Sequence, residues 1–100
     1  MKRIALLSLS VAWLAGPVHA EAIKQACLQS ERANGNGQLC RCIQHAANLT
    51  LSERDQRLAA TFFRDPHRAQ EIRQSDRRAH ETFWQRYQNF GTTAESICRS

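Results

Sequence analysis

Beyond residue 20 the chain has no long apolar run, no alternating strand pattern, no internal repeat and no low-complexity tract. The missing apolar run excludes a helical membrane span, which needs about 20 consecutive apolar residues. The missing alternation argues against a sheet. No C-x-x-C pair is present, so neither a haem-attachment motif nor a thioredoxin-like site is encoded. No nucleophile elbow, phosphate-binding loop or paired-carboxylate motif occurs either. An enzyme is therefore not expected.

The first twenty residues read as an export signal. Lys2 and Arg3 form a positive start, Ile4 to Gly16 is apolar, and Val18-His19-Ala20 follows a helix-breaking Gly16-Pro17. The apolar stretch is too short to span a bilayer, and small residues stand at the −3 and −1 positions of a cleavage site after Ala20. Cleavage leaves residues 21–100 as one domain, soluble and most simply periplasmic. Without Lys2 and Arg3 the basic count falls from 14 to 12 against nine acids, a net charge of +3. That balance suits an anionic envelope surface or a partner protein and is no nucleic-acid signature.

A domain of this size buries barely enough apolar surface to offset chain entropy. Four cysteines, Cys27, Cys40, Cys42 and Cys98, offer the remedy. An even count in an exported chain reads as two disulfides. Cys40 and Cys42 would point about 200° apart on a helix, so each takes a separate partner, one being Cys27 and the other Cys98. Folding back around Asn34–Gly37 sets Cys27 opposite Cys42, and we expect Cys27–Cys42 with Cys40–Cys98. A copper(I) or zinc site built on Cys40, Cys42, His45 and Cys27 is the competing reading, but it lacks paired zinc-ligand spacing. No metal or other cofactor is expected.

The rest reads as four to five helices, an all-α bundle stapled by disulfides. Ile23, Ala26, Cys27 and Ser30 share one face of a helix over 22–33, which Asn34-Gly35-Asn36-Gly37 should stop. A second helix covers 38–48. Ser52 should cap a third, with Glu53 and Asp55 in its first turn and Leu58, Ala59, Phe62 and Phe63 buried. Asp65-Pro66 should start the next, Asp as cap and Pro in the first turn. Its stripe of Ala69, Ile72, Ala79, Phe83, Tyr87 and Phe90 implies one long helix up to Gly91, unless Ser75-Asp76 splits it. Thr92 and Glu95 fit a capping box for a final turn.

Two groups of polar residues stand out. Asp76 falls where the long stripe calls for a hydrophobe, and a carboxylate there must be paired or solvated. Arg73, Arg77 and Arg41 are its candidate partners, as a structural ion pair or a small polar pocket. The eight arginines from Arg54 to Arg86 interleave with acids as on an ordinary solvated helix face. Trp84 lies off the apolar stripe, so with Arg68 and Arg86 it marks a candidate partner surface. His45, His67 and His80 would be the only titratable triggers near neutrality for a stress chaperone.

The mature chain also resembles a family of short exported alphaproteobacterial proteins. The resemblance rests on Cys27, Cys40-Arg41-Cys42, Leu51-Ser52 with Asp55-Gln56-Arg57, Phe62-Phe63-Arg64-Asp65-Pro66, Ala69-Gln70 with Arg73, Ser75-Asp76-Arg77, Phe83-Trp84 with Arg86-Tyr87, and Cys98. Members often carry the label "arginine transporter". The resemblance implies an exported helical fold and brings no catalytic residues. An accessory binding module connected to uptake is the function the label would imply, since so short a chain cannot itself form a membrane pathway.

Overall fold

The computed structural model describes residues 21–31 and 33–99. The expected export signal lies outside these residues. Five helices follow one another: α1 (Ala22–Gln29), α2 (Gly37–Thr50), α3 (Glu53–Arg64), α4 (Pro66–Arg73) and α5 (Arg78–Cys98). No strand occurs among the described residues. The main helix contacts form a closed ring: α1 packs on α2, α2 on α5, α5 on α4, α4 on α3, and α3 on α1. None of the described helices is long and apolar enough to cross a membrane.

Local chemistry sets most helix ends. Ser52 Oγ accepts the Asp55 N–H at 3.1 Å, and Asp65 Oδ1 accepts that of His67 at 3.2 Å, with Pro66 opening α4. Each cap satisfies a donor that the first helical turn leaves unpaired. Asn36 does the same for α2, accepting from the Leu39 N–H at 3.0 Å. Leu51 sits just beyond α2 and is buried.

α1 ends four residues earlier than expected, at Gln29. The turn that follows places Asn34 and Gly35 in the left-handed region, at φ 46° and 73°. Glycine adopts that conformation without the steric cost other residues meet.

The cysteines pair as Cys27–Cys40 and Cys42–Cys98, which corrects the expected connectivity. Cys27 lies in the last turn of α1 and Cys40 in the first turn of α2. The midpoint of the bridged pair falls between residues 33 and 34, beside buried Ala33, whereas a Cys27–Cys42 pair would place it between 34 and 35. That shift brings Cys40, not Cys42, opposite Cys27. Cys42, about 200° further round α2, then faces the last turn of α5 and Cys98.

The long helix does split. Gln74–Arg77 separates α4 from α5, and Ser75 Oγ accepts the Arg77 N–H at 3.2 Å. Serine and aspartate compete with helical hydrogen bonds through their own side chains, so Ser75-Asp76 is a natural break. Gly91, by contrast, does not end α5. Buried Phe90, partly buried Ala94 and the Cys42–Cys98 bridge hold the chain helical on both sides of it. The expected capping box is therefore absent: Thr92 and Glu95 are helix-interior residues, and Thr92 Oγ1 donates to the Gln88 carbonyl at 3.1 Å.

The core has two textures. Phe62 of α3 meets Phe83, Trp84 and Tyr87 of α5 at centroid distances of 5.9, 6.5 and 5.1 Å. Ile72, Ile23 and the alanines of α2 and α3 fill the space around them. Under α2 the interior turns polar. Gln44 donates to Asn48 Oδ1 at 2.8 Å and to Gln56 Oε1 at 2.7 Å, while its own Oε1 accepts the Lys24 N–H at 2.9 Å. Gln56 in turn donates to the Leu51 carbonyl at 3.2 Å. Gln44 therefore caps α1 from a different helix, and the network leaves no polar atom of either buried amide unsatisfied.

Candidate anion-binding cleft

The aromatic cluster joins α3 to α5 across the ring, and a bidentate ion pair links them nearby. Arg86 Nε donates to Asp55 Oδ2 at 2.6 Å and Nη2 donates to Oδ1 at 3.1 Å. The Asp55 side chain is only 12% exposed, and that of Arg86 is 44% exposed. The hydrogen bond that Arg86 donates to Asp55 raises the Arg86 pKa above its ordinary value, with burial acting against it and the Asp55 charge adding to it. Arg86 thus stays charged at any working pH, and its planar fork is fixed in orientation.

This pair forms one wall of a cleft of about 690 Å³ between the first turns of α3 and α5. Ser52 and Arg54 line it from α3; Arg77, His80 and Thr82 line it from α5 and the residue before it. Leu58, Ala79 and Phe83 give it an apolar side. Asp55 is the one acidic residue in the lining, and Arg86 already engages both its oxygens. Among the described residues, neither Arg54 nor Arg77 is in a salt bridge. No side chain caps α5. The cleft therefore sets Arg54 and Arg77, neither in a salt bridge, beside the Asp55-paired Arg86 and the uncapped start of α5, an arrangement that favours negative charge.

His80 Nδ1 lies 2.7 Å from Ser75 Oγ. A serine–histidine contact invites a catalytic reading, but Ser75 already accepts the Arg77 N–H, and among the described residues no carboxylate forms a salt bridge with His80. The contact fastens the turn before α5. It also leaves Nε2 as the His80 atom available to a ligand.

The polar group centred on Asp76 does not assemble. Asp76 is exposed in the α4–α5 connection, and among the described residues no salt bridge joins it to Arg73, Arg77 or Arg41. The chain break turns its carboxylate to solvent, which removes the cost of burying it. Arg73 is exposed at the end of α4, and Arg41 lies back along its own helix towards Gly37. Only Arg77 of that set lines the cleft.

The expected partner surface is also divided. Trp84 is half-buried against Phe62 and Tyr87, and Arg86, two residues on, lies about 200° around the helix. Arg68 is half-buried on α4, 3.5 Å from Glu71. Asp55 and Arg54 complete the cleft and were not singled out as site residues by sequence. Nothing local marks a pairing 31 residues apart.

All four cysteines are bridged, so their thiolates cannot serve as metal ligands in this state. Among the described residues, no three of His, Cys, Asp and Glu gather as a metal site would require. No protein-family model, curated protein or solved structure matches the chain.

Proposed function

We propose that the chain is an exported, non-catalytic binding module that receives an anionic group of an envelope partner in the cleft between α3 and α5. One observation carries this reading: Arg86 is oriented by Asp55 beside Arg54 and Arg77, with no second carboxylate in the lining to neutralise them. Guanidinium groups held this way recognise oxyanions through several hydrogen bonds at once.

Export is supported by the amino-terminal pattern of Lys2, Arg3 and the apolar run to Gly16, and by disulfides that use every cysteine. Two bridges also suit a scaffold that must hold a shape without a large core. The resemblance to short exported alphaproteobacterial proteins agrees with this compartment. The label "arginine transporter" fits the cleft poorly. A cationic side chain would face three guanidinium groups, with the one carboxylate already engaged.

The test is retention of the disulfide-bonded protein on a sulfated, polyanionic matrix across a salt gradient. Retention that weakens steadily with salt and is reduced in Arg54→Ala supports the reading. A protein that passes through at low salt, on that matrix and on membranes of its own envelope alike, would remove it.

A further inference from the structure

The cleft permits a narrower statement about its ligand, one that rests on the reading above. We propose that it binds a phosphate monoester attached to an apolar or ring-bearing body. Three features of the cleft point this way.

The first is the number and spread of donors. Asp55 uses two of the Arg86 donors, Nε and Nη2, and leaves the remainder of that guanidinium directed by a fixed fork. Arg54 on α3 and Arg77 before α5 lie on the two opposing elements, so a ligand between them meets positive charge from separate directions. A planar carboxylate is matched by one bidentate guanidinium. A tetrahedral group with three terminal oxygens and nearly two negative charges uses several.

The second is the backbone. The first turns of α3 and α5 both line the cleft, and α5 carries no side-chain cap. The His80 and Glu81 N–H groups already donate to the Arg77 carbonyl at 3.0 Å, which leaves those of Arg78 and Ala79 to an external acceptor, the arrangement that favours phosphate at helix starts.

The third is size and texture. A cleft of about 690 Å³ has room for about twenty waters, far more than one phosphate group fills. Leu58, Ala79 and Phe83 provide an apolar side against which the remainder of the ligand can lie. An inorganic ion alone would leave that side in contact with water.

The chemistry is shared by soluble phosphomonoesters and by a lipid headgroup such as phosphatidic acid, and the experiment separates them. The disulfide-bonded protein is titrated calorimetrically with phenyl phosphate and with benzoate, and is co-sedimented with phosphatidylcholine vesicles with and without phosphatidic acid. Phenyl phosphate binding that exceeds benzoate binding supports a soluble source. Sedimentation only with phosphatidic acid supports the lipid source.

In either arm Arg77→Ala and Arg54→Ala should each weaken binding about tenfold, the loss expected for one charge-assisted hydrogen bond. Arg73→Ala, exposed and outside the cleft, should bind as the parent does. Circular dichroism checks that all three variants remain helical. Equal affinity for benzoate and phenyl phosphate overturns the proposal, as does undiminished binding by both cleft variants. If salt-dependent retention on the sulfated matrix persists while neither phosphate probe binds, this inference fails and the broader function stands. If retention is absent as well, both fail.

Discussion

The two sides of the ring are held by different means. Around α1 and α2 the buried side chains are mostly small, Ala26, Ala33, Cys27 and Cys40 beside Ile23, and buried Gln44 hydrogen-bonds across to Gln56 of α3. Around α3, α4 and α5 the interior is aromatic and aliphatic, built on Phe62, Phe83, Tyr87, Phe90 and Ile72. Small residues bury little apolar area, so the first side depends on a covalent link and on directional bonds. The second depends on packing and presents its arginines outward. Covalent support and side-chain packing are thus assigned to different parts of one small fold.

The largest expected effect comes from removing the bond between the two sides. Cys42→Ser with Cys98→Ser opens a loop of 56 residues and should cost about 4 kcal/mol in the chain-entropy account. Urea unfolding followed by circular dichroism measures it, and an unchanged midpoint would show that packing alone joins the halves. Phe62→Ala should cost about 3 kcal/mol, since it empties the centre of the aromatic cluster. A cost no larger than that of the Gln44 variant would erase the distinction between packed and hydrogen-bonded sides.

Gln44→Ala leaves Gln56 Oε1 and the Lys24 N–H without their partner, and about 2 kcal/mol should be lost. Hydrogen exchange should show the loss first in α1. The smallest effect has the opposite sign. A Cβ at Gly91 meets nothing within 4 Å, so Gly91→Ala should raise stability by about 0.5–1 kcal/mol through helix propensity. A lower melting temperature would mean that α5 does end there in solution.

What the sequence made legible was local. Ser52 and Asp65-Pro66 announce their helices because cap and capped amide lie within three residues of each other. The Ser75-Asp76 break was visible as an alternative for the same reason. The connectivity of the cysteines was not, because moving the centre of a turn by a single residue exchanges Cys42 for Cys40. Gly91 misled because a stop signal can be overridden by packing and a disulfide on either side of it. The cleft was hidden for a further reason. Arg86 stands out as a candidate in the sequence, but Asp55 has the position of a first-turn acid complementing its own helix. The partnership across 31 residues exists only once the aromatic cluster sets α3 against α5.

The bond from Cys42 to Cys98 encloses everything from the middle of α2 to the end of α5 in a single covalent loop. A protease that cuts the backbone once anywhere inside that loop, at the exposed Asp76 connection for instance, cannot release a fragment. The two pieces stay tethered by sulfur and migrate as one band until a reductant is added. In a compartment where proteases are abundant, a nicked molecule could therefore keep α3 and α5 together, and with them the cleft between their first turns.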